Sequence, residues 1–132
     1  MLDARFAGGA LVVLGTDHVL YAHEGGAVVE LDAQVFGPLS AAGDRVAYVR
    51  GEMPELEVAR ADVRTGEAVS ITQGMAPAWS PALSADGREV IFVSGVTGSP
   101  RLYRGEGGAS RALPPVERFP PRRLRRAGWT TA

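Results

Sequence analysis

The stretch Leu83–Gly95 reads "LSADGREVIFVSG", and forty-four residues earlier Leu39–Gly51 reads "LSAAGDRVAYVRG". Aligned without a gap, the two blocks share seven of thirteen residues, including two valines and the final glycine. Each block holds a run of β-branched and aromatic residues with a period of two, bounded by glycines, which is typical of a strand that follows a tight turn. A chain of 132 residues that repeats such a block is predicted to fold as copies of one unit.

A second match extends the repeat toward the N-terminus. "LYAHEGGA" at Leu20–Ala27 and "LYRGEGGA" at Leu102–Ala109 share six of eight residues, and "VARADVRTGEA" at Val58–Ala68 occupies the equivalent place between them. Each unit is therefore predicted to contain four short antiparallel strands in about forty residues, the pattern of a β-propeller blade.

These matches predict an all-β fold of about three propeller-type blades. Residues 1–116 form the predicted domain, with blades at residues 2–33, 34–73 and 74–115. Propellers usually close with four to eight blades, so three blades predict an open arc, or half of a six-bladed ring that a second copy completes. Residues 117–132 are an Arg- and Pro-rich tail, open to interpretation as an irregular end or as the start of a further blade.

The best-matching unit, residues 71–113, resembles the repeat of TolB-type β-propellers. "SPALSADGREVIFVSG" at Ser80–Gly95, followed by "RLY" at Arg101–Tyr103, is similar to that family's Pro, Ser-Pro-Asp-Gly turn and Leu-Tyr pair, although Ala85 replaces the proline of the turn. The resemblance implies the fold and leaves the function open, because such propellers serve as adaptors, as gating domains of peptidases and as catalytic domains. Within the repeat, Asp86 is expected to bond the amides of its own turn. Trp79, together with Phe92 or Tyr103, is expected to pack between neighbouring blades.

Composition bounds the remaining possibilities. The chain has no cysteine, so a disulfide framework and thiolate chemistry are excluded. Its 14 basic residues are all arginine, which we interpret as the codon bias of a GC-rich bacterial genome. No stretch approaches the roughly 20 apolar residues that span a bilayer, and the localisation stays open between a periplasmic or extracytoplasmic and a cytoplasmic compartment. Residues 1–116 carry 9 arginines against 14 acidic residues, whereas residues 117–132 carry 5 arginines against Glu117.

The sequence predicts no catalytic residue, no cofactor and no metal site. His18 and His23 are five residues apart, which places them on opposite faces of a strand, so they are not expected to share a metal ion. The carboxylates of the segment Gly51–Glu57 lack the alternating spacing of a calcium loop, and the clustered arginines lack the interleaved aromatics of a nucleic-acid interface. We therefore expect a protein that is not an enzyme, and the question of catalytic activity stays open.

We expect a non-catalytic protein-interaction module, a scaffold or adaptor, whose partner is another protein, a second copy or the remaining blades of a larger propeller. The candidate partner-binding residues lie in the exposed loops and the tail; they are Glu52, Glu55, Glu57, Arg101, Arg122, Arg123, Arg125 and Arg126. The alternative is the accessory propeller of a prolyl-oligopeptidase-type serine peptidase or another hydrolase. A carbohydrate-active propeller ranks last, since the chain has no clustered pair of acidic residues for acid–base catalysis.

Overall fold

The structure is a computed structural model that describes residues 1–114, which form three antiparallel sheets of four strands and no helix. The first sheet contains β1 (Asp3–Ala7), β2 (Ala10–Leu14), β3 (Leu20–Glu24) and β4 (Ala27–Asp32). The second contains β5 (Val35–Ala42), β6 (Arg45–Arg50), β7 (Glu57–Asp62) and β8 (Ala68–Ser70). The third contains β9 (Ala78–Leu83), β10 (Val90–Ser94), β11 (Arg101–Gly105) and β12 (Arg111–Ala112).

Each sheet is a meander in which every strand pairs with the next one in the chain. In the second and third sheets, the first strand contacts the preceding sheet. Strand β5 packs against β1 and β2, and β9 packs against β5, β6 and β7. The sheets therefore stack face to face in chain order without closing a ring. The prediction of propeller-type blades with four antiparallel strands is confirmed.

Two cores hold the stack together, and the second sheet contributes to both because its alternate side chains point to opposite faces. Val46 and Tyr48 of β6 face the first sheet, whereas Ala47 and Val49 face the third. All four are buried. In the third sheet, Phe92 is fully buried against this second core and stacks on Tyr103 with ring centroids 5.9 Å apart. The expected packing of Phe92 between blades is confirmed.

The hairpins that begin the two matching sequence blocks have turns of different length, although the two blocks align without a gap. In the second sheet Ala42 pairs directly with Arg45, leaving a two-residue turn. In the third sheet the Ser84 amide bonds the Glu89 carbonyl, so four residues form the turn. Asp86 stabilises this longer turn by accepting hydrogen bonds from the Ser84 hydroxyl at 2.6 Å and the Arg88 amide at 3.0 Å. The hydrogen bond from the Ser84 hydroxyl, and to a smaller extent the one from the Arg88 amide, hold the pKa of Asp86 below its usual range.

Candidate binding site

A cavity of about 560 Å³ opens between the second and third sheets, at the end of the stack where β6 and β10 finish. Its walls are mainly apolar. They include Phe36, Pro38, Val49, Met53, Leu56 and Trp79, with Glu52 as the charged residue of the lining. Concave apolar sites with few polar groups are the usual form of a ligand pocket, and we call this feature the inter-sheet cavity.

Irregular first strands place the two aromatic rings at this cavity. Phe36 pairs with Val49, but the ladder between β5 and β6 then shifts register before Ser40. Trp79 pairs with Val93, and the ladder between β9 and β10 shifts register before the next pair, Ala82 with Ile91. A β-bulge adds residues to one strand and re-aims its side chains, so the repeated irregularity supplies one aromatic ring from each of the two sheets.

The loop between β6 and β7 borders the cavity through Glu52 and Met53, and Glu55 lies in the same loop outside the lining; we call the two glutamates the acidic rim. Glu52 and Glu55 are both exposed, and Met53 between them is 68% exposed. The Gln34 side-chain amide lies 3.4 Å from the Glu52 carboxylate. Among residues 1–114, neither glutamate takes part in an ion pair. The rim therefore presents negative charge that the described part of the chain leaves without a cationic partner.

Glu57 belongs to a different environment from the other two glutamates. It begins β7 and accepts hydrogen bonds from Arg50 Nε at 2.6 Å and from the Ser70 hydroxyl at 2.8 Å. Arg50 also donates to Asp32 Oδ2 at 2.6 Å, and the buried Tyr48 hydroxyl donates to the same oxygen at 2.7 Å. This cluster links the first sheet to the second, and both carboxylate oxygens of Glu57 accept hydrogen bonds within it.

The cluster raises the pKa of two of its members, Tyr48 and Arg50. Burial, and then the hydrogen bond to Asp32, raise the pKa of the Tyr48 hydroxyl far above its usual range. Burial opposes the charge on Arg50, but the hydrogen bonds with Glu57 and Asp32 outweigh that effect and raise the pKa of Arg50. The Tyr48 hydroxyl therefore stays protonated and the Arg50 guanidinium stays charged near neutral pH, and their hydrogen bonds to Asp32 link the first sheet to the second.

The histidines are placed apart from one another. His18 has a left-handed backbone with φ of 62°, and its Nδ1 lies 3.1 Å from the Val35 carbonyl oxygen. The centroid of its ring lies 4.6 Å from the centroid of the Phe36 ring. His23 is exposed on β3. Within residues 1–114, no group of three or more His, Asp or Glu side chains is arranged to hold a metal ion, and no helix is long and apolar enough to cross a membrane.

The remaining candidate residues divide between the described and undescribed parts of the chain. Arg101 is exposed at the start of β11, at the same end of the third sheet as Trp79. Arg122, Arg123, Arg125 and Arg126 lie outside the described residues. The sequence analysis missed Phe36 and Met53 as lining residues. The signal available for Phe36 was its aromatic-x-Pro pattern, Phe36–Pro38, which recurs at Trp79–Pro81.

Comparison with known proteins supports the fold. No protein-family model and no curated protein matches the chain. Among solved structures, it is similar to TolB from Acinetobacter baumannii, with 20% identity and a TM-score of 0.57 over 79% of this chain and 28% of that one. A structure described as TolB from Agrobacterium tumefaciens has 16% identity and a TM-score of 0.62, covering 81% of this chain and 42% of that one.

A third similar structure is the β-propeller domain of the Trilobed protease from Pyrococcus furiosus. It has 16% identity and a TM-score of 0.56 over 85% of this chain and 40% of that one. The chain thus spans less than half the length of each of these proteins. In fold it is a segment of a TolB-like β-propeller, as the repeat resemblance predicted.

Proposed function

We propose that the chain is a non-catalytic protein-interaction module that binds a basic peptide segment carrying an apolar anchor residue. The observation that supports this is the inter-sheet cavity with its acidic rim. An apolar side chain placed between Phe36 and Trp79 is removed from water. Arginine or lysine residues on either side of it would face Glu52 in the lining and Glu55 in the adjoining loop.

The two parts of this site contribute differently. Burying one leucine side chain is worth about 1.5–3 kcal/mol, whereas each exposed ion pair is worth about 0.2–1 kcal/mol and weakens in salt. The anchor therefore supplies most of the affinity, and the acidic rim supplies the preference for a basic segment. Residues 122–126 of this chain, "RRLRR", have this composition, so the tail of a second copy is a ligand of the proposed class.

The test measures the binding of a fluorescein-labelled peptide, RRLRR, by fluorescence anisotropy at two salt concentrations, and it uses the full chain with Leu124→Gly so that residues 122–126 lack the anchor and do not compete. Replacing the leucine of the peptide with glycine is expected to weaken binding by about 10- to 150-fold, from the burial energy above. The double substitution Glu52→Arg and Glu55→Arg should weaken it by about 2- to 30-fold. Glu24→Arg combined with Glu30→Arg is the matched control, because it changes the net charge by the same amount and both glutamates are exposed on β3 and β4 of the first sheet, away from the cavity.

Equal binding of the leucine and glycine peptides would refute the anchor role of the cavity. Equal losses in the control variant and the rim variant would show attraction to net charge and no specific site.

A second candidate function, favoured by the similarity to the Trilobed protease propeller domain, is an accessory propeller of a serine peptidase. That function requires a hydrolase domain in the same polypeptide, with its nucleophile serine on a sharp strand-to-helix turn. Sequencing the parent reading frame on both sides of this segment decides the matter. Such a domain would replace the adaptor proposal, and its absence from the frame would remove the peptidase alternative.

A further inference from the structure

The two end faces of the stack have the same residue pattern as the two faces that meet inside it. On the face that each sheet turns toward the next one, the second and third strands pair through apolar residues. These pairs are Leu14 with Leu20, Val49 with Val58 and Val93 with Leu102. The first two pairs are buried by the following sheet, but in the third sheet Leu102 is 38% exposed and the neighbouring Ile91 is 42% exposed.

The opposite face of the first sheet shows the complementary pattern. By strand register, Leu11 and Val13 of β2 correspond to Val46 and Tyr48 of β6, which dock on the preceding sheet. Leu11 and Val13 are only partly buried, and Phe6 on β1, which pairs with Leu11, is 78% exposed. The first sheet therefore carries a docking face, and the third sheet a receiving face, that no other sheet of residues 1–114 covers.

We propose that these two faces bind each other in a pair of chains, so that the first sheet of one copy stacks on the third sheet of the other. Each contact would repeat the geometry already present twice within the chain. Two such contacts join two copies of three sheets into one ring of six, within the four to eight blades that propellers use. Each single contact joins two different faces, and a two-fold rotation about the ring axis relates the two contacts, so together they form one closed, isologous interface.

Three observations favour a second copy as the occupant. The docking and receiving faces occur on the same chain in equal number, their positions are fixed by the repeat that builds the internal contacts, and they lie at opposite ends of the stack. A partner without the repeat would need to match both faces independently. The inference does not depend on peptide binding at the inter-sheet cavity, which lies between the second and third sheets of one chain.

Light scattering of the full 132-residue chain over a concentration series tests the proposal. We expect a particle of twice the 13.9 kDa chain mass. Phe6→Arg on the docking face and Ile91→Glu on the receiving face should each produce a monomer, because each places a charge in an apolar contact. Val69→Arg is the matched control: Val69 has the same 42% exposure as Ile91 but lies on β8 of the middle sheet.

Mixing the two monomeric variants gives the decisive result. One contact then joins two unmodified faces and the other joins Arg to Glu, so the mixture is expected to return to the dimer mass. Circular dichroism verifies that each variant keeps its strands, and a variant that unfolds is replaced by Val13→Arg or Leu102→Glu. A chain that stays monomeric at all concentrations would overturn the proposal, as would a dimer that survives both variants, or a mixture that stays monomeric. Assemblies larger than the dimer that disappear in both variants would overturn the closed ring.

Discussion

Replacement of Phe92 by alanine tests whether the two cores of the stack are energetically separate. Phe92 is fully buried and stacks on Tyr103, and its contacts lie between the second and third sheets. Truncation of a buried phenylalanine costs about 3–5 kcal/mol. In stacked repeats each unit contacts only its neighbours, so the loss should fall mainly on the third sheet.

The assay is hydrogen exchange followed by mass spectrometry of peptides from each sheet. A loss of 3 kcal/mol corresponds to roughly a 100-fold faster exchange where opening of the third sheet limits it. We therefore expect amides of β10 and β11 to exchange at least about 100-fold faster, with little change in β2 and β3. Leu14→Ala is the matched perturbation, since Leu14 is fully buried in the first core, and it should reverse the pattern.

Two results would refute the reasoning. Equal acceleration in all three sheets would show that the two cores open as one cooperative unit. Acceleration of less than about ten-fold in β10 would show that Phe92 contributes far less packing energy than its burial indicates.

Two further predictions concern polar groups. Tyr48→Phe removes the hydroxyl that donates to Asp32 at 2.7 Å, so the free energy of unfolding in urea should fall by about 1.5–3 kcal/mol, as for other hydrogen bonds to charged groups; a fall below about 0.5 kcal/mol would contradict the assignment. The paired Arg104 guanidinium holds the pKa of Glu89 below its usual range. Its stabilising contribution is therefore complete above the unfolded-state pKa of about 4.3 and is lost as the pH falls through the lower folded-state value. Glu89→Gln should flatten the acid limb of a stability-against-pH curve, and an unchanged limb would count against this ion pair.

The sheets were predictable from sequence because their signal is local. Alternating apolar residues and glycine turns determine which residues can form a hairpin, and both recur in the aligned blocks Leu39–Gly51 and Leu83–Gly95. The register of the individual strand pairs was harder to predict from the sequence. The hairpins of these two blocks differ by two residues in the turn, and the strand ladders shift register after Phe36 and after Trp79.

The candidate site was predictable only in part. Glu52 and Glu55 lie on the exposed loop where they were expected, and their role in binding stays a prediction. Glu57 is held by Arg50, its cross-strand neighbour in the β6–β7 ladder. A predicted hairpin contains that pairing, whereas the contact of Arg50 with Asp32 joins two sheets and depends on how they stack. The inter-sheet cavity likewise arises from the stacking of separate sheets.

The double-faced middle sheet has a consequence for how such a gene changes over time. Its β6 strand carries, in alternate residues, one surface that fits the unit before it and another that fits the unit after it. Duplication of a whole forty-residue segment therefore copies both halves of a working joint, and excision of a whole segment brings two compatible halves together. Within a strand, an insertion or deletion of an odd number of residues breaks the alternation and leaves mismatched surfaces, whereas the turns accept changes of length, as the two-residue and four-residue hairpins of the second and third sheets show. Lineages carrying this fold should accordingly gain and lose length in whole units or in turns.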